Sequence, residues 1–191
     1  MFKIAMSFVL LLAGGSALAA VENYTIDPNH TFPNFTINHL GFSKMHGRFG
    51  TTSGKLTLDR DTMMGSVDIT IDAASIDTGF GKRNDHLRSP DFLNVGEFPT
   101  ITYKAGNVKL NKDGTGDVKG KLTLAGVTKD VTLHVDHMNC APHPFDPSKK
   151  KFVCGFNATA TIMRSDFGVK YGLPAIGDEM QLEFEVEAER N

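Results

Sequence analysis

The sequence predicts an all-β domain whose strands run antiparallel and close into a barrel. Three observations carry that expectation. Apolar residues recur at every second position through most of the chain, the mark of strands with one buried and one wet face. Short turn signals join many of these runs, and connections of that length make chain neighbours antiparallel. Eight to ten such strands either stack as a sandwich or close, and closure is the complete way to remove exposed edges.

Taken in order, the first 19 of the 191 residues read as a cleaved export signal. Lys3 precedes an apolar run from Ile4 to Ala13 that is too short to span a bilayer. Ala17 and Ala19 flank Leu18 and place cleavage after Ala19, leaving residues 20–191 as one domain. No later stretch reaches membrane-spanning length, so stable membrane insertion is not expected. Cys140 and Cys154 are the two cysteines, and neither sits where lipid attachment would need one. In an oxidising compartment beyond the inner membrane they are expected to form one disulfide.

Strand patterning begins at Phe35, Ile37 and His39, continues over Lys55 to Asp59, and is clear at Val67, Ile69 and Ile71 against Asp68, Thr70 and Asp72. Residues 82–94 break the alternation and read as short helical turns, with Ser89 as a cap and Pro90 at a first helical position. Strands resume at 100–103, 107–110 and 117–124, with Asp113-Gly114-Thr115-Gly116 and Ala125-Gly126 as turns. Val131, Leu133 and Val135 follow, then 152–162. The last segment sets Met180, Leu182, Phe184, Val186 and Ala188 against Gln181, Glu183, Glu185, Glu187 and Glu189. A helix would scatter both sets.

Net charge is −2 and basic residues are dispersed apart from Lys149 to Lys151, so no footprint for nucleic acid is present. Gly50 to Leu56 falls short of a phosphate loop in glycine spacing and lacks the hydroxyl for magnesium. Nucleophile elbows, zinc-protease helices and dinucleotide fingerprints are absent. His134, His137, Cys140, His143 and Cys154 cluster in sequence, but two histidines three apart on a strand point to opposite faces and the cysteines suit a disulfide. No metal is expected.

Several blocks carry a family resemblance: Asp27-Pro28-Asn29-His30, Asn38-His39-Leu40-Gly41-Phe42-Ser43, the run from Arg83 to Leu93, Phe98-Pro99-Thr100-Ile101, and Gly120 to Thr128 with Val131-Thr132-Leu133. Together they resemble the YceI-like family of bacterial periplasmic proteins, also called the polyisoprenoid-binding family. That resemblance implies a periplasmic, extended antiparallel barrel similar to lipocalins, holding a long isoprenoid tail such as that of ubiquinone or a related octaprenyl lipid. Two positions depart from the family pattern, with Asn84 directly after Arg83 and Asp130 where relatives carry proline.

The function expected is a lipid carrier or scavenger that performs no chemistry and needs no cofactor beyond its bound lipid. Phe35, Ile37, Phe42, Ile69, Ile71, Phe92 and Ile101 are the candidate tail contacts, and His39, His86 and Arg88 the candidate head-group contacts. For His86 and Arg88, capping turns and pairing with either Asp85 or Asp91 is the competing structural role. Two alternatives stand beside it. One is an enzyme using His39, His86 and Asp85 for acid–base work on a prenyl substrate. The other is a solid-cored structural protein that forms a homodimer through an exposed sheet face.

Overall fold

The computed structural model describes residues 20–191, so the signal-like segment lies outside it. Among the described residues eleven strands are present: β1 Glu22–Ile26, β2 Phe32–His39, β3 Ser43–Phe49, β4 Thr52–Asp59, β5 Met64–Asp72, β6 Ile76–Asp77, β7 Thr100–Lys109, β8 Gly116–Leu124, β9 Val127–Pro142, β10 Phe152–Met163 and β11 Ile176–Arg190. An α-helix, α1, covers Gly81–Arg88, and short 3-10 turns cover Ala73–Ser75 and Arg164–Phe167. Neighbouring strands follow the order β1-β4-β5-β7-β8-β9-β10-β11, and β1 pairs back onto β11. All of these pairings are antiparallel, so the expected barrel closes with eight strands.

The length of β11 explains the rest of the topology. Its last residues pair with β1 through Ala188, Glu189 and Arg190, while Ile176 to Glu185 pair with β2 along the same edge. β3 and then β6 extend from β2. The barrel therefore has a tight end at β1 and a second end where β2, β3 and β6 diverge toward α1. The alternating set Met180, Leu182 and Phe184 sits opposite Ile37, Phe35 and Pro33. These residues face the interior while the glutamates face water.

Two bulges reconcile sequence patterns with strand lengths. The runs 100–103 and 107–110 belong to one strand, because β7 shifts register against β5 near Asn107, whose φ is 52°. In β9 a shift opposite Asn157 and Ala158 flips the parity after Val135. Both His134 and His137 are exposed as a result, which corrects the expectation that they face opposite ways. His134 bonds Asp117 at 2.9 Å. Cys140 and Cys154 are direct cross-strand partners and form the expected disulfide. Closing a short loop contributes about 3 kcal/mol at most on the chain-entropy model.

The helical segment also differs from expectation. α1 ends at Arg88, and Ser89 terminates it by donating its hydroxyl to the His86 carbonyl at 2.7 Å. Pro90 opens a turn in which Phe92 N–H donates to the Ser89 carbonyl, rather than starting a new helix. Asn84 anchors α1 from inside: its Oδ1 accepts from Thr78 N (2.9 Å) and Thr78 Oγ1 (2.6 Å), and its amide donates to Asp77.

Candidate lipid-sized lumen

The inward residues do not fill the space they enclose. Cavities of about 140 and 280 Å³ lie inside the barrel, and Pro33, Ile71, Leu122, Leu182 and Phe184 wall both, so the two adjoin at that ring of side chains and together make up the lumen. Leu133, Leu182 and Phe184 point inward yet are only partly buried, because they look onto that space. Along β11 the lining runs from Ile176 to Val186, roughly 30 Å at the rise of a strand.

The inner cavity is apolar, and its polar side chains are all hydroxyls: Tyr24, Thr31, Thr52, Thr57, Ser66 and Tyr103. Tyr103 shares its hydroxyl between the carbonyls of Val118 (2.8 Å) and Val131 (3.1 Å), and burial pushes its pKa up to about 12. Thr52 Oγ1 is buried with no partner among the described residues. At the far end of this cavity Tyr24, Leu56 and Leu58, which line it, pack with Ile26, Cys154 and Ala188 into a second cluster that closes the barrel.

The outer cavity carries charge. His39, His46, Arg83, His86, Arg164 and Tyr171 line it, and His46, His86 and Tyr171 are exposed, so it reaches the surface beside α1. Arg164 is 2% exposed and donates to the carbonyls of Gly177 (2.7 Å), Ile176 (3.1 Å) and Val169 (3.0 Å). Burial lowers its pKa. Arg83 donates to Thr78 Oγ1 (2.7 Å) and Thr78 O (2.6 Å), while its Nη1 reaches only the Met45 sulfur at 3.6 Å. Sulfur is a weak acceptor, so that guanidinium keeps donor capacity toward the lumen.

Of the residues picked out by sequence, Phe35, Ile37, Phe92 and Ile101 line the outer cavity, Ile69 the inner, and Ile71 both. His39 and His86 line the outer cavity. His86 also pairs with Asp91 at 2.9 Å, and its ring lies 5.0 Å from those of Phe92 and Tyr171. Phe42 does not line the lumen: it is 88% exposed, because Leu40 and Gly41 take positive φ and turn the chain before it. Arg88 does not face it either. Its guanidinium donates to the carbonyls of Ala74 and Ile76 and to Asp85, pinning α1 to the wall. Arg83, Arg164, His46 and Tyr171 were missed by sequence reasoning, although Arg83 stands at the head of the motif block that runs to Leu93.

At the plugged end, Asp27, His30 and Glu187 bring one ligand atom each within 4.8 Å of one another on the surface. His30 Nδ1 bonds Asp27 at 2.9 Å, which raises the His30 pKa and lowers that of Asp27. The Lys151 charge acts on both carboxylates and competes with any cation there.

A model of the YceI-like domain matches residues 24–188. A UPF0312 protein of Pseudomonas paraeruginosa is 39% identical over 181 residues, covering 94% of this chain and 92% of its own. The crystal structure of BcnA from Burkholderia cenocepacia superposes with a TM-score of 0.72 at 24% identity, over 85% of this chain and 98% of that one. A polyisoprenoid binding domain from Saccharophagus degradans, implicated in plant cell wall breakdown, gives 0.66 at 18% identity, over 88% and 98%. At such identities these two structures speak for the fold. The family match and the identity to curated relatives establish the rest: this chain belongs to the YceI-like family.

Proposed function

We propose that this chain is a periplasmic binding protein that sheathes the tail of a polyisoprenoid lipid, such as an isoprenoid quinone or a related octaprenyl lipid, and carries or sequesters it unchanged. The observation that carries this reading is the unfilled apolar lumen, plugged at one end and charged at the other. A prenyl tail exposes many apolar carbons, and burying each CH₂ contributes about 0.8 kcal/mol. The similarity to the Saccharophagus degradans domain supports the same ligand class. In this reading the tail lies along Ile69, Ile71, Phe35, Ile37, Ile101 and Phe92, with an oxygen-bearing head near His39, His86 and Arg83.

Organic extraction of the purified protein followed by mass spectrometry tests it. A prenyl lipid in the extract, or uptake of added ubiquinone, is the expected result, and neither being seen overturns the reading. Ala158→Phe sharpens the test, because Ala158 lines the inner cavity. In a filled core the added ring would cost about 1–3 kcal/mol. Here the variant is expected to stay folded, lose uptake of octaprenyl tails and keep that of a farnesyl analogue.

A further inference from the structure

Exposed apolar side chains collect around the open end of the lumen. Leu40 is 47% exposed, Phe42 88%, Phe80 54% and Tyr171 48%. A chain of contacts joins them into a ring. Tyr171 packs on His86 of α1 at 5.0 Å, and Arg83, one turn earlier, stacks its guanidinium on Phe80 at 5.8 Å. Arg83 reaches Met45 on β3 at 3.6 Å, and β3 leads back to the turn that holds Leu40 and Phe42. Leu40 N–H donates to the Ala175 carbonyl at 2.9 Å, which returns the path to the Tyr171 segment. His39, Met45, Arg83, His86 and Tyr171 all line the outer cavity, so the lumen opens inside this ring.

Charge follows the same ring. Exposed Lys44, Lys82 and Lys170 lie within two residues of Phe42, Phe80 and Tyr171 respectively. Two carboxylates of α1 and the turn after it are paired, Asp85 with Arg88 and Asp91 with His86, while Asp77 bonds the uncharged Gly79 N–H and Asn84 amide. Aromatic side chains interleaved with lysine suit the boundary between headgroups and acyl chains of an anionic bilayer.

We propose that this ring is a membrane-docking surface, which seats the open end of the barrel on an anionic lipid bilayer so that a lipid passes between bilayer and lumen without crossing water. The proposal rests on the lipid-binding reading for its purpose, but docking is measurable on vesicles that contain no prenyl lipid. The occupant is a bilayer because the ring surrounds a mouth whose ligand is itself insoluble. A rival surface sits at the plugged end, where Phe145 is 90% exposed beside Lys149, Lys150 and Lys151. It lies in the loop between β9 and β10, and none of these four residues lines either cavity.

The chain contains no tryptophan, so Phe42→Trp and Phe145→Trp each install a single reporter at a site outside the lumen. Vesicles of phosphatidylethanolamine and phosphatidylglycerol are expected to shift Trp emission to the blue in Phe42→Trp and leave Phe145→Trp unchanged. In flotation with the same vesicles, Phe42→Ser is expected to weaken binding about tenfold, the loss of one aromatic anchor. No shift in Phe42→Trp, a shift in Phe145→Trp alone, or flotation unaffected by Phe42→Ser overturns the proposal. So does a blue shift that grows with protein concentration in the absence of vesicles, which would assign the ring to a second copy. Uptake of farnesyl analogue from solution is measured separately: if it fails while vesicle docking persists, the lipid-binding reading falls and the docking surface stands.

Discussion

The two ends of the barrel are built from different materials. At the plugged end, Tyr24 is 1% exposed, Cys154 and Ala188 are fully buried, and a disulfide ties β9 to β10. Glu22 there takes a bidentate bond from Arg60 (2.7 and 2.9 Å), another from Arg190 (2.7 Å) and one from the Tyr24 hydroxyl (2.5 Å). At the open end buried side chains such as Phe35 and Ile101 alternate with partly exposed ones such as Ile37, Met180 and Leu182, and Arg83 and Arg164 are held by carbonyls and one hydroxyl. The lesson is a division of labour along one lumen: one end holds the barrel shut, and the other leaves contacts unmade for a ligand.

The largest test of that division is Tyr24→Ala. Removing a buried aromatic costs about 3–5 kcal/mol, and here it also strips Glu22 of a hydrogen bond. Urea denaturation is expected to show that loss, whereas Ile37→Ala, a partly buried residue at the open end, is expected to cost less than about 2 kcal/mol. Equal losses would break the comparison.

A smaller effect belongs to pH. The Arg60 bonds, with help from Tyr24 and Arg190, lower the Glu22 pKa from 4.5 to about 2. Because the folded value is depressed, the stabilisation is fully present above the unfolded pKa and is lost as pH falls from about 4.5 through about 2. With screening at the half-exposed arginines, its size is on the order of 2 kcal/mol. Denaturation midpoints measured across that window are expected to fall less steeply in Glu22→Gln. Wild type and variant tracking each other would remove Glu22 from the account.

Much of this architecture is legible in sequence where one residue type marks one face. β11 is the clear case, with Gln181 and four glutamates alternating with apolar residues. β3 escaped because its inward positions are Met45, Gly47 and Phe49, and a glycine gives no hydrophobic signal. Gly47 is nonetheless required there: a Cβ would sit 2.3 Å from the Phe35 ring. Bulges in β7 and β9 reset parity, so fixed-period counting assigns the residues beyond them to the wrong face. The lumen-facing strand residues Phe35, Ile37, Ile69, Ile71 and Ile101 were readable because parity predicts facing, whereas Phe42, in a turn, was not. Head contacts were not, since Arg83 and Arg88 lie in the same helix five residues apart and differ only in which carbonyls lie within reach.

That difference supplies the finest test. Arg88 has all three guanidinium nitrogens bonded to protein oxygens, whereas Arg83 leaves Nη1 on a sulfur at the lumen wall. Lysine keeps the charge but loses the planar fork that bonds Thr78 while Nη1 stays at the lumen wall. Arg83→Lys is therefore expected to weaken binding of ubiquinone about tenfold, or about 1.4 kcal/mol, and to leave binding of squalene, a prenyl hydrocarbon without a head, unchanged. Titration of both ligands separates the outcomes: an equal loss for the two would make Arg83 a wall residue, and no loss for either would place the head group elsewhere along the ring.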